Sequence, residues 1–435
     1  MDQDESILEV SKLHFAEKFP LNKGQKNIIE EIITWKSQPP LVKTGRSTFL
    51  IIDEPSLPFK GIKIKGCGYF DPYSNAVMQP STDEGYEAHI QNQPDGVKEI
   101  HYQIEVNDKD EIYFSVPKKR PYGAQIYDQA VKEFEACQTL LNAYEGDLKE
   151  FPFYFPIGYA KYKDMIYKDK PLGVCVLGIG DETEKTLGNY FAAKFEEKGL
   201  RINPELLEYW QNHLAPLAQK EPRYFDILST LRHLAKKFGK TLSQLHEHFV
   251  DHDSHLFNAS VNNKEGQVMI FDLDHVLAVS ELSDQKYFYY CLKDFELGLV
   301  AVMSNFMLNG LIDGLSLFEK ENRQIDEFNI IKGFFEGYFG ELNHSLDFDV
   351  KSLWKRILLT SNNQLLDADH KDKLSITHLF CEHEREQSYL DIFPYLKDKI
   401  KQSRPDFDLT QENHTEIINK FLKQKTEISK AHNVT

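Results

Sequence analysis

Cysteine is scarce in this 435-residue chain: five residues, at 67, 137, 175, 291 and 381, odd in number, widely scattered and without a C-x-x-C pair. Such spacing does not build a disulfide frame, and reduced thiols of a cytosolic protein are the expectation. Long apolar runs are missing too; none approaches the roughly 18 residues of a membrane span. Basic charge is in deficit, with 51 Lys and Arg against 68 Asp and Glu and a net charge of −17. A field of that sign repels phosphate backbones and excludes a general nucleic-acid binder. The first residues, MDQDESILEV, start acidic and lack the basic-then-apolar layout of a secretory signal, which adds to the expectation of a cytoplasmic protein. Internal repeats and low-complexity tracts are absent. What remains is apolar enough, at 41% with 12% aromatics, to bury large cores and exclude global disorder. The length leads us to expect two or three domains at about 150 residues each.

The first half reads as strands. STFLIID (47–53), GIKIKGCG (61–68), EIHYQIEV (99–106) and EIYFSVP (111–117) are short, rich in β-branched or aromatic residues and bounded by Pro, Gly, Asn or Asp, with NDKD (107–110) as a hairpin turn. A helix is expected over 124–145, where Ala130, Phe134, Cys137, Leu140 and Leu141 recur at spacings of three and four. Two strand-like runs follow, FYFPIGYAKY (153–162) and LGVCVLGIG (172–180). From about residue 181 the pattern turns helical, through NYFAAKFEEKG, PELLEYWQNHLAPLA, YFDILSTLRHLAKKFGKTLSQLHEHFV and the Phe-, Leu- and Met-rich stretch 284–340. One strand candidate, GQVMIFDLDHVL (266–277), interrupts it, and the tail 402–435 is polar with one short amphipathic segment. The order predicts an α+β protein of two lobes with a cleft between them.

The segment most informative about chemistry is DHDSHLFNASVNNKEGQVMIFDLD (251–274). Asp253 and Asn258 are five apart, and Asp272 follows the apolar run VMIF after the turn NNKEG. A phosphoryl-transfer loop needs this set: an Asp to orient and deprotonate the attacking hydroxyl, an Asn on a metal ion, and a second Asp bridging metal and nucleotide phosphates. The residues resemble the protein-kinase-like fold, more closely its aminoglycoside-phosphotransferase branch, with its H-G-D-x-H-x-x-N loop and apolar strand ending in D-x-D. Asp253, His255 and Asn258 match D-x-H-x-x-N, and Asp272 with Asp274 match D-x-D. Asp251 and His252 stand where that family has His and Gly, and the family's His helps to hold the loop.

The resemblance implies further parts. A strand lysine should hold the nucleotide phosphates and a helix glutamate should position it. Lys63 and Lys65 are two apart on one face of a strand, and Glu133 and Glu135 lie in the next helix, where a solvated face is the ordinary place for a glutamate. LGVCVLGIG falls where the interlobe hinge would lie, making Val176 and Gly178 candidate nucleotide contacts. The run IKIKGCGYFDPYSNA is also similar to the K-G-x-G-x-x-x-Y-S run of selenoprotein-O-like pseudokinases, which transfer AMP, and that match favours Lys65 and Glu133. That family's H-G-x-x-N-x-D-N loop is not met here.

The expectation is therefore a two-lobed kinase-like fold, with a strand-rich lobe over 1–178, a helical catalytic lobe over 179–401 and a peripheral tail over 402–435. It would be an ATP- and Mg²⁺-dependent phosphotransferase acting on a small-molecule or protein hydroxyl. Asp253 would be base or orienter, Asn258, Asp272 and Asp274 the metal ligands, Lys65 the phosphate clamp and Glu133 its partner. AMP transfer by the same fold and a catalytically inactive pseudokinase scaffold are the alternatives. Weaker candidates are the single-glycine segment KTGRST (43–48), the set His378, Cys381 and His383 without a fourth metal ligand, and the acidic runs DFDV and DADHKD, which lack the ligand spacing of a calcium loop.

Overall fold

The computed structural model describes residues 7–40, 46–85 (without 53 and 72–75), 103–106, 112–115, 120–214 (without 182–183, 192–193, 197–198 and 202–203), 224–310, 324–340, 382–410 and 416. The protein is of mixed α+β class, and its contacts divide it into two compact units. The first comprises Met1–Lys98, Lys118–Lys185 and Met269–Val276; the second comprises Glu99–Pro117, Thr186–Val268 and Leu277–Thr435.

The first unit is built on a six-stranded antiparallel sheet of β1 (Val10–Phe15), β2 (Ser47–Ile51), β3 (Gly61–Lys65), β4 (Gln125–Ile126), β5 (Phe155–Tyr167) and β6 (Lys170–Ile179). The strand order is β1-β5-β6-β3-β2, and β4 pairs with β6. Alternation along GIKIK sends Ile62 and Ile64 to one face and Lys63 and Lys65 to the other, and all four are buried. In the register, Lys65 lies opposite Cys175 and Ser47, and Lys63 opposite Leu177 and Phe49.

Helix α1 (Lys23–Ile33) starts with a capping box, in which Asn22 accepts from the Gln25 N–H and Gln25 accepts from the Asn22 N–H. Helix α2 (Tyr127–Ala143) lies on β5 and β6 and buries a stripe of Ala130, Glu133, Phe134, Cys137, Leu140 and Leu141. Its one acidic member, Glu133, is 1% exposed, whereas Glu135 is exposed.

The second unit is mostly helical, with α3 (Pro204–His213), α4 (Tyr224–Leu245), α5 (Asp284–Gly310), α6 (Gln324–Phe339) and α7 (Glu382–Ser403). Helices α4 and α6 pack so closely that a Cβ on Gly337 would come within 1.9 Å of the Lys236 carbonyl oxygen, so only glycine fits there. Phe238, Phe295, Phe334 and Tyr338 form an aromatic cluster at this interface. Strand β7 (Ala259–Asn262) leads through the turn 263–266 into β8 (Gln267–Ile270), which carries the chain back into the first unit.

Two local expectations are corrected. The helical reading of NYFAAKFEEKG gives way to a short helix (Leu187–Phe191) and a strand ladder pairing Lys194–Glu196 with Gly199–Arg201. In KFE and GLR a single apolar residue stands between neighbours without that character, a two-residue rhythm that suits a strand. The strand expected over 266–277 stops at Ile270, because Asp272 takes a positive φ of 67° that a β-ladder cannot continue. The turn 107–110, the acidic runs DFDV and DADHKD and most of the tail lie outside the described residues. No helix among the described residues is long and apolar enough to cross a membrane. Cys67, Cys137, Cys175 and Cys291 are free and buried, and burial pushes the Cys67 thiol up to about 12.

Candidate functional site

Four chain segments of the first unit build the cluster around Lys65. Strand β3 supplies the lysine, α2 supplies Glu133, β4 supplies Gln125, and the turn after β8 supplies Asp272 and Asp274. Lys65 Nζ donates to Glu133 Oε2 at 2.9 Å, to Asp272 Oδ1 and to Asp274 Oδ2 at 3.4 Å. Gln125 Nε2 donates to the same Glu133 oxygen at 2.9 Å and the same Asp274 oxygen at 3.3 Å. Lys65, Glu133, Gln125 and Asp274 thus close a ring in which two donors separate two carboxylates. Arg46 Nη2 lies 3.8 Å from Asp274 Oδ2, and His275 Nδ1 lies 2.9 Å from Asp274 Oδ1.

The electrostatics follow from this crowding. Burial disfavours the Lys65 ammonium, but the Asp272, Asp274 and Glu133 carboxylates outweigh burial and hold it above the usual lysine range. Burial also opposes ionisation of Asp272 and Asp274, yet Lys65 beside them keeps both below the usual carboxylate range. Glu133 moves the other way: burial raises it more than Lys65 lowers it, and the two aspartates add repulsion. Three carboxylates face two cationic side chains, Lys65 and Arg46, which leaves the cluster one charge negative when all are ionised. Oxygen atoms of Glu133, Asp272 and Asp274 all lie within 4.8 Å of one another. Carboxylate oxygens so placed could serve a hard divalent cation such as Mg²⁺.

Lys63 points to the same face as Lys65 but has other partners. Its ammonium donates to Glu184, lies 4.2 Å from the Phe271 ring centroid and 5.6 Å from that of Tyr154. Val176 and Gly178 lie within β6 and pair with Ile64 and Ile62 of β3 on one side and with Gly158 and Phe155 of β5 on the other. The space a Cβ would need on Gly178 is filled by Phe59 at 2.8 Å and Phe155 at 3.1 Å. The glycine after Lys65 also has a packing reason: Gly66 has φ +95°, and a Cβ there would meet the Gly173 carbonyl oxygen at 2.8 Å.

Asp253 and Asn258 belong to the second unit. Asp251 and Asp253 both take positive φ, 65° and 60°, in the left-handed region that Asp tolerates better than most residues. The loop then closes on itself: His255 N–H and Asn258 Nδ2 both donate to the Asp253 carbonyl oxygen, at 2.8 and 3.1 Å, and Asn258 N–H donates to the His255 carbonyl oxygen at 3.0 Å. Asn258 is buried, while the Asp253 side chain is 44% exposed.

Helix α5 holds this loop. Lys293 donates to Asp251, and the two Asp294 carboxylate oxygens accept from the His252 N–H at 3.1 and 3.0 Å. His246 Nε2 lies 3.2 Å from Asp294, and its Nδ1 lies 2.6 Å from the Tyr338 hydroxyl. Burial alone would raise the Asp294 carboxyl, but His246, Lys293 and the His252 N–H together hold it below the usual range. Lys293 and Asp294, adjacent on α5, thus hold the loop at Asp251 and His252.

Neither Gln125 nor the pair Lys293 and Asp294 is signalled by a motif. Of the weaker candidates, Lys43, Thr44 and Gly45 lie outside the described residues, as do His378, Cys381 and the side chain of His383. No protein-family model matches this chain, and no curated protein matches it.

Proposed function

We propose that the chain is an ATP- and Mg²⁺-dependent phosphotransferase of the two-lobed protein-kinase-like fold, acting on a hydroxyl of a small molecule or protein. The observation that carries the proposal is the buried ion pair between the strand lysine Lys65 and the helix glutamate Glu133, with Asp272 bonded to the same ammonium. Phosphoryl transfer asks little covalent chemistry of the protein; it needs positioning and charge neutralisation. Lys65 would hold nucleotide phosphates, with Glu133 and Gln125 fixing its direction. Lys63 suits that task less, since Glu184 and two aromatic rings already engage its ammonium. Asp272 and Asp274 would hold Mg²⁺. When bound, the ion would offset phosphate charge and fix the phosphoryl geometry. Asp253, with its exposed carboxylate, would orient the acceptor hydroxyl and take its proton.

The K-G-C-G run would also suit AMP transfer, but Gly66 is accounted for by its φ and by its contact with β6, so the glycine does not favour that reading. Intact-mass spectrometry after incubation with ATP and Mg²⁺, with and without candidate acceptors, tests the proposal. A gain of one phosphoryl group on protein or acceptor supports it. A gain of one adenylyl group means AMP transfer, and tight nucleotide binding without any transfer means a scaffold.

A further inference from the structure

Lys63, Glu184, Tyr154 and Phe271 form a second buried cluster in the first unit, separate in its contacts from the ring around Lys65. Glu184 accepts from both the Lys63 ammonium and the Tyr154 hydroxyl, the latter at 2.8 Å. The Tyr154 and Phe271 rings stack at 5.1 Å with only 14° between their planes, and the Lys63 ammonium lies over Phe271 at 4.2 Å. Phe271 is 6% exposed and directly precedes Asp272, whose φ of 67° turns the chain out of the strand direction. Just upstream, the Ile270 N–H donates to the Pro152 carbonyl oxygen at 3.0 Å, and a parallel bridge joins Ile270 to Phe153. The backbone on the amino side of Asp272 is therefore gripped twice, by the main chain at Ile270 and by rings and an ammonium at Phe271.

We infer that Lys63 is a positioning residue: with Glu184 and Tyr154 it clamps the Phe271 ring and so fixes the backbone that presents the Asp272 carboxylate. A buried ammonium over an aromatic face is attracted to the ring, and its bond to the Glu184 carboxylate holds it in place. The inference divides the labour of the two strand lysines. Lys65 touches the carboxylates, while Lys63 acts one residue away, through Phe271. It rests on the phosphotransferase reading for its consequence, the handling of Mg²⁺ by Asp272, but not for the clamp.

The variant Lys63→Met/Glu184→Gln removes both charges with little change in volume, so that neither partner is left buried and unpaired. Native-state hydrogen exchange of the full chain reads the clamp directly. The Ile270 amide should lose protection by about tenfold or more, while amides in the β1–β5 ladder keep theirs. Nucleotide binding, titrated with ATP at a series of Mg²⁺ concentrations, reads the consequence. The Mg²⁺ concentration for half-maximal binding should rise about tenfold, with the affinity at saturating Mg²⁺ within about threefold of the parent. Unchanged exchange at Ile270, or an equal loss of protection throughout the unit, would overturn the inference. So would loss of ATP affinity at every Mg²⁺ concentration, which would make Lys63 itself a phosphate ligand. A parent protein that binds no ATP with Mg²⁺ would overturn the functional reading, and the exchange arm would still decide the clamp.

Discussion

Replacing Lys65 by Met removes the one ammonium shared by Glu133, Asp272 and Asp274 while nearly keeping its volume. Three carboxylates then face Arg46, whose guanidinium lies 3.8 Å from Asp274. Deleting one partner of a buried ion pair typically costs about 3–5 kcal/mol, because the other is left charged without compensation. The Asp272 side chain keeps 24% exposure, so water screens part of its charge and the lower end, about 3 kcal/mol, applies. For a unit of this size that corresponds to a melting temperature lower by roughly 6–12 °C at pH 7.5.

The pH dependence gives a sharper reading. In the parent, Asp272 and Asp274 titrate below their unfolded values, so their contribution is present above about pH 4 and lost as pH falls further. Without Lys65, burial and mutual repulsion lift all three carboxyls above their unfolded values. The folded state then binds more protons than the unfolded one, and stability rises as pH falls towards 5. Scanning calorimetry from pH 8 to 5 should show the gap between parent and variant narrowing on acidification, and 10-mM-range Mg²⁺ should raise the variant's melting temperature more than the parent's. A gap below about 2 °C at pH 7.5, or one that widens on acidification, would refute the charge accounting.

Asp272→Ala should abolish Mg²⁺-dependent ATP binding in calorimetric titration while leaving the circular dichroism spectrum unchanged, because Glu133 and Asp274 still hold Lys65. Asp253→Asn should lower turnover by about 10²- to 10⁴-fold with ATP affinity unchanged, whereas Asn258→Ala should weaken both; parallel small effects in kcat and Kd would mean that both are only turn residues. Asp294→Ala strips a partner from His246 and from the His252 N–H, and should cost about 3 kcal/mol in urea unfolding.

Much of the first unit was legible in the sequence. Strands β2 and β3 and helix α2 lie where β-branched runs and a three-four spacing put them. The burial of Glu133 was legible too, since Ala130, Glu133, Cys137 and Leu140 share the apolar stripe of α2, while Glu135 does not. A solvated face, the ordinary place for a glutamate, does not fit that phase. What the sequence could not carry are partners far apart along the chain. Lys63 finds Glu184 121 positions away, Gln125 finds Asp274 149 positions away, and the Lys293 that bonds to Asp251 lies on a helix with no motif. Tertiary packing brings these groups together, and no periodicity records it. Likewise the end of β8 at Ile270 goes with the positive φ at Asp272, which the apolar run before it does not record.

The proposed reaction is transfer of the γ-phosphoryl group of ATP with Mg²⁺. Parallel incubations with ATP labelled at the γ or the α phosphorus, with and without Mg²⁺, using the parent and Asp253→Asn, test it most directly. Label should transfer from the γ position only, dependent on Mg²⁺ and reduced at least about 100-fold in the variant. Transfer from the α position, or none from either label together with no Mg²⁺-dependent ATP binding, would contradict it.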